Sequence, residues 1–254
     1  MLYCRFQSGD TVGWGILQQH EILEVAPDIF ADYEETGRTF PMEASRLLPP
    51  CQPSKIIAIG LNYKDHIQEF GRSELPSEPV MFLKAGSALA GFNDPIVLPA
   101  GVSPVDYEGE LAVVMKKAGR RIPESEAAGY ILGCTCLNDV TARALQQKDG
   151  QWARSKSFDS FAPVGPWIAG GLPFQNLRIE TYLNGRAVQL GHTSRMIFTV
   201  PQLVAFVSGV MTLYPGDIIS TGTPKGVGPL SPGDVVEIFV EGVGRLRNPV
   251  VAEK

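Results

Sequence analysis

Glu108 and Glu110 stand two residues apart, with Gly109 between them and the apolar run Leu111-Ala112-Val113-Val114 behind them. On a β-strand, side chains at i and i+2 point to one face, so the two carboxylates would converge. Like charges at that distance repel and raise one pKa unless a cation sits between them. A hard divalent ion such as Mg²⁺ or Ca²⁺ meets the need, because it prefers oxygen ligands. Two unrelated acids on a solvated strand face fit the same spacing, and the pair alone does not decide. Asp139 offers a third carboxylate where a strand-like run over 133–137 gives way to a helical-looking segment over 141–147. There it is either a helix N-cap or a third metal ligand. Gln146 follows seven residues later, two helical turns on, so both can face one way.

A second set of residues suits proton transfer. His66 and Glu69 are three apart and become neighbours on a helical turn, which Asp65 is placed to cap. A carboxylate beside a histidine orients the ring and raises its basicity, the simplest arrangement for a general base. A surface ion pair on a short helix is the plain alternative. Lys156 lies in a polar and aromatic stretch, Ser155-Lys156-Ser157-Phe158. It is either solvated or, facing a cavity, able to balance a developing oxyanion. Thr223 belongs to Thr221-Gly222-Thr223-Pro224-Lys225-Gly226-Val227-Gly228, a Gly-rich loop after a strand. The spacing is not that of a P-loop, yet its N–H groups and Thr223 could bind a carboxylate.

The elements that must hold these groups are mostly strands. Runs over 2–6, 12–18 and 21–25 predict short strands of a separate N-terminal unit, 1–50. Pro49-Pro50-Cys51-Gln52-Pro53 then forms a stiff linker to a second domain, 51–254. Lys55-Ile56-Ile57-Ala58-Ile59-Gly60 and Pro79-Val80-Met81-Phe82-Leu83-Lys84 read as strands, the first of buried type, and 105–114 as one continuous strand. Residues 71–79 read as a mobile loop. Pro123 opens a predicted helix with acids in its first turn. Asn184-Gly185 marks a type I′ hairpin. Residues 201–211 predict a helix with Leu203, Val204, Phe206, Val207 and Val210 on its apolar face.

Composition narrows the class. The 254 residues are 44% hydrophobic and 19% charged, ordinary for a globular protein, and 27 glycines with 20 prolines favour turns and strands over helix. The net charge of −5 and the lack of a basic run argue against nucleic acid as a partner. No apolar stretch reaches the roughly 18 residues of a membrane span, and no signal peptide is visible. Four cysteines without a Cys-x-x-Cys pair read as reduced thiols of a cytoplasmic protein.

Taken in order over 55–229, these motifs resemble the fumarylacetoacetate hydrolase family, in its acylpyruvase, oxaloacetate decarboxylase and 2-hydroxyhepta-2,4-diene-1,7-dioate isomerase-like branch. The resemblance is carried by Gly60-Leu61-Asn62-Tyr63 with Asp65-His66 and Glu69, by Glu78-Pro79-Val80-Met81-Phe82-Leu83-Lys84 and by Glu108-Gly109-Glu110-Leu111. It continues through Asn138-Asp139-Val140-Thr141-Ala142-Arg143, Lys156-Ser157-Phe158-Asp159, Met196-Ile197-Phe198 and the loop over 221–228. One departure is Ala85-Gly86 after Lys84, where related chains often carry Pro-Ser; residues 1–50 match only loosely.

The resemblance implies a mainly β fold, a mixed β-sandwich roll with a few short helices and a small N-terminal β unit, usually in a homodimer. It implies Mg²⁺ or Mn²⁺ on Glu108, Glu110 and Asp139, a lid dyad of His66 and Glu69, and an active-site Lys156. Gln146 and Thr223 would contact the oxygens of a small-molecule 2-oxo acid, with Lys84 nearby. The expected chemistry passes through a metal-bound enolate. C–C hydrolysis of an acylpyruvate such as fumarylpyruvate or acetylpyruvate ranks first, because the dyad suits water activation. Oxaloacetate decarboxylation forms the same enolate, and dienoate isomerisation needs only proton shuttling around it. A non-catalytic metal and dicarboxylate-binding protein would need the acids but not His66, Glu69 and Lys156.

Overall fold

The runs Ile56-Ile57-Ala58-Ile59 and Leu111-Ala112-Val113-Val114 are buried at every position, as suits strands covered on both faces. In a computed structural model, which describes residues 1–69, 71 and 74–253, both lie in one 12-stranded sheet. Through its middle the strands run Leu2–Ser8, Ala162–Ala169, Ile131–Asn138, Gly109–Met115, Ile218–Ser220, Ile56–Gly60 and Val80–Lys84. These neighbours are antiparallel except that Ile56–Gly60 lies parallel to Ile218–Ser220.

A five-stranded sheet packs on the centre of the large one: Arg186–His192, Arg178–Leu183, Val235–Val240, Gly244–Ala252 and Ile96–Leu98. Leu111 and Cys136 from the large sheet and Ile179, Ile238 and Leu246 from the small one join a single apolar core. A third sheet holds Thr141–Ala142, Val105–Tyr107 and Gly228–Pro229. With 45% strand and 18% helix, the molecule is the mainly β, mixed-sheet fold that the sequence implies.

The expected N-terminal strands form, and two more join them, Glu34–Pro41 and Arg46–Leu48. The unit enters the large sheet through Leu2–Ser8, with Leu2 opposite Ala169 and Tyr3 opposite Ile168. The hairpin turn has φ of 52° at Asn184 and 77° at Gly185, the two positive values that a type I′ turn requires. The helix Val200–Val210 starts on a Thr199/Gln202 capping box and buries Leu203, Val204 and Val207. Val210, expected on that face, is exposed. Glu124–Tyr130 is 3₁₀ rather than α. The expected loop over 71–79 includes residues 72 and 73, which lie outside the described residues. Among the described residues no helix is long and apolar enough to cross a membrane.

Candidate active site

The Glu-Gly-Glu strand is not continuous. Val105–Tyr107 pairs within the three-stranded sheet and Gly109–Met115 within the large one, so Glu108 stands at the break. Two bonds hold it there: its N–H donates to Asn138 Oδ1 at 2.9 Å, and its carbonyl accepts from Asp139 N at 2.8 Å. Register does the rest, because Gly109 opposite Asn138 sets Asp139 beside Glu108. Glu110 Oε2 accepts from Ser220 Oγ at 2.5 Å and Gly222 N at 2.8 Å. Ligand oxygens of Glu108, Glu110 and Asp139 thereby lie within 4.8 Å of one another, all three residues buried. Gly109 faces the five-stranded sheet: a Cβ there would stand 2.1 Å from Thr181 Oγ1 and 3.0 Å from Ile238 Cδ1. The glycine thus serves the approach of two sheets rather than the gap between two acids.

Three cations neutralise Glu108 and Asp139. Lys156 Nζ bridges Glu108 Oε2 at 2.9 Å and Asp139 Oδ2 at 2.5 Å. Lys84 Nζ meets Asp139 Oδ1 at 2.5 Å, and Arg143 Nη2 meets Glu108 Oε1 at 2.5 Å. Burial alone would push the Glu108 carboxyl up, but Lys156, Arg143 and His66 outweigh it and hold the group well below the usual carboxylate range. Glu110 goes the other way. Burial and the charge of Asp139 push it well above that range, against the hydrogen bond from Ser220. Burial would lower Lys156, yet the charges of Asp139 and Glu108 keep it above the ordinary lysine value. Burial prevails at Lys84, which is held below it.

The acids open on a cavity of about 480 Å³, whose wall also carries His66, Gln146, Lys156 and Thr223. His66 is buried on the helix Lys64–Glu69, with Nδ1 3.3 Å from Glu69 Oε2. Glu69 accepts in turn from Gly226 N at 3.0 Å, which ties the dyad to the Gly-rich loop. Gln146 reaches the wall with Oε1 held by Arg143 at 2.6 Å. Thr223 Oγ1 donates to Gly109 O and accepts from Gln189 Nε2, each at 2.9 Å, so its proton is already placed within the protein. Lys84 is off the cavity wall, buried behind Asp139 and bonded also to Val140 O at 3.3 Å. A larger cavity, about 720 Å³, lies beside His20, Glu43, Arg46 and Phe92, where among the described residues no comparable group of acids gathers.

Sequence reasoning left three contributors without a role. Arg143 was quoted only as part of a motif, yet it links Asp106, Glu108 and Gln146. Ser220 fixes Glu110, and Trp152 forms part of the wall. Only the helix position of Arg143, three residues before Gln146, was a usable signal.

The donor set fits a hard divalent cation: three carboxylates, all oxygen, each with lone pairs beyond those its present partners use. Glu110 takes its hydrogen bonds from two neutral donors, and a bound cation would offset the burial and the Asp139 charge that push its carboxyl up. Glu108, Glu110 and Asp139 could therefore hold the metal.

Comparison with known proteins gives the family. Residues 55–251 match the family model described as fumarylacetoacetate (FAA) hydrolase, C-terminal, and residues 1–50 match one described as Rv2993c-like, N-terminal. The chain belongs to the fumarylacetoacetate hydrolase family. A crystal structure of 5-carboxymethyl-2-hydroxymuconate delta-isomerase from Mycobacterium smegmatis superposes with a TM-score of 0.95 at 44% identity, over 100% of both chains. The mitochondrial oxaloacetate tautomerase Fahd2a of Rattus norvegicus is 36% identical over 94% of this chain and 85% of its own. The maleylpyruvate hydrolase of Sphingobium sp. SYK-6, solved with manganese(II) and pyruvate, gives a TM-score of 0.83 at 30% identity over 100% of both chains. The chain is, like these relatives, an enzyme.

Proposed function

We propose that this protein is a Mg²⁺- or Mn²⁺-dependent hydrolase that cleaves a C–C bond in an acylpyruvate. The observation that carries the reading is that His66, paired with Glu69, shares one cavity wall with three carboxylates and Lys156. A divalent ion on Glu108, Glu110 and Asp139 would supply Lewis-acid stabilisation of negative charge at the keto oxygen. The protein's own groups supply the rest. With Nδ1–H donated to Glu69, His66 keeps a lone pair on Nε2 and takes a proton from water. The water oxygen bonds to C4 of the substrate, the C3–C4 bond breaks, and its electron pair passes to the pyruvate enolate. Lys156, held above its ordinary value, stays cationic beside that oxygen. Protonation at C3 releases pyruvate and a carboxylic acid.

Decarboxylation of oxaloacetate forms the same enolate, while isomerisation of a dienoate keeps its carbon chain and needs only proton shuttling at the same groups; the similarity to a named isomerase favours the latter as the second reading. We further place the enzyme in the cytoplasm, as a homodimer; its four buried free thiols accord with a reducing compartment. The test is turnover of acetylpyruvate, fumarylpyruvate, oxaloacetate and a 2-hydroxydienedioate with Mn²⁺, with Mg²⁺ and with EDTA. Metal-dependent release of pyruvate from an acylpyruvate, faster than any other conversion, is the expected result. Faster consumption of the dienedioate would transfer the assignment to isomerisation. Turnover unaffected by EDTA would remove the metal from the reading.

A further inference from the structure

The cavity wall divides by chemistry. One part is Glu108 and Asp139, knit by ion pairs to Lys156 and Arg143, with Glu110 beside them. The other includes Gly60, Leu61, Gln147, Gly150 and Trp152, none of them charged. Trp152 is its largest group. The indole rests on Gly60, where a Cβ would stand 2.5 Å from Cζ3 and 2.9 Å from Cη2. It meets Phe82 edge to face, with ring centroids 5.1 Å apart at 75°. The Trp152 carbonyl accepts from Lys156 N at 3.1 Å and Ser155 Oγ at 2.9 Å, so the indole rides on the turn that presents the lysine. A fixed aromatic surface therefore adjoins the charged part of the wall.

Lys156 and Arg143 are the lysine and arginine on this wall among the described residues, and both are bonded to Glu108. With a 2-oxo acid head among the charged groups, the wall left for its tail includes Trp152 and Leu61. Among the described residues of the wall, a second carboxylate there would lose water without gaining a cationic partner. An uncharged chain would bury apolar surface on the indole at no such cost. Resting on the 2-oxo acid reading above, we propose that Trp152 selects substrates with an uncharged tail, favouring neutral acylpyruvates over dioates such as fumarylpyruvate.

The test measures affinity with two 2-oxo acids of equal length that lack the second keto group, 2-oxopentanoate and 2-oxoglutarate. Both are titrated by calorimetry in Mn²⁺ buffer, with oxalate as a probe for the head alone. The wild-type chain should bind 2-oxopentanoate at least tenfold more tightly than 2-oxoglutarate. Trp152→Ala should shrink that gap below threefold, and Trp152→Phe should keep most of it. Gln147→Arg, which sets a cation in the neutral part, should tighten 2-oxoglutarate about tenfold. Oxalate binding with 2-oxoglutarate held as tightly as 2-oxopentanoate, or a gap that survives Trp152→Ala, would overturn the role of Trp152 and leave the 2-oxo acid reading standing. Loss of oxalate binding in the wild type would overturn both.

Discussion

What holds a histidine decides whether it can serve as a base, and His66 is held by Glu69, itself held by the backbone of Gly226. Replacing His66 by alanine should lower kcat by about 10²–10⁴. Oxalate and Mn²⁺ affinity should persist, since the three acids lie on other elements; paired turnover and calorimetric measurements check this. A fully active variant would remove His66 from the mechanism. Lys84 tests a different property. It is buried against Asp139 and stands off the cavity, so its part is to neutralise rather than to touch substrate. Removing one partner of a buried ion pair costs about 3–5 kcal/mol. Lys84→Met should lose stability on that scale in metal-free denaturant unfolding. An unchanged midpoint would mean that Lys156 neutralises Asp139 unaided.

At the scale of elements, the site depends on a strand break and a register. Gly109 occupies the point where the two sheets come closest, and Gly109→Ala forces Thr181 to move. Overpacking of this kind costs about 1–3 kcal/mol, and at ~2–4 °C per kcal/mol for chains near this length the melting temperature should fall by several degrees. Metal affinity should fall with it, because Glu108 and Glu110 flank the displaced residue; thermal scans with and without Mn²⁺ read both effects. Much of this level was legible in the sequence. Buried strands announce themselves by β-branched runs, and the acid triad and the dyad by spacing and family pattern. The break at Glu108 was hidden because Val105–Val114 reads as one apolar, β-branched run on either side of the acids. Glu34–Pro41 was hidden because it is almost wholly exposed and so shows no alternation of polar and apolar residues. Arg143 lay beyond reach because its anionic partners Asp106 and Glu108 are 37 and 35 residues away in the chain. Lys84 was seen but misplaced, since nothing local tells a lysine that faces a cavity from one that lies behind it.

The whole molecule responds through its charge balance. An ion bound by the native triad and not by the unfolded chain stabilises the fold by RT ln(1 + [L]/Kd), about 2.7 kcal/mol at a hundred times Kd. Mn²⁺ should therefore raise Tm with concentration, EDTA should reverse the shift, and Glu110→Gln should weaken it. A Tm indifferent to the metal would leave Glu108 and Asp139 neutralised by lysine and arginine and Glu110 held by neutral donors.

The parallel pairing of Ile56–Gly60 with Ile218–Ser220 also governs the order of events during synthesis. By the time residue 156 has left the ribosome, all three acids, the histidine and the lysine exist. The groups that fix Glu110 do not: Ser220 and Gly222 follow it by 110 and 112 residues. Contacts so remote demand loop closure before they contribute any stability. A nascent chain halted short of Ile218 carries all three acids and lacks the two donors that fix Glu110.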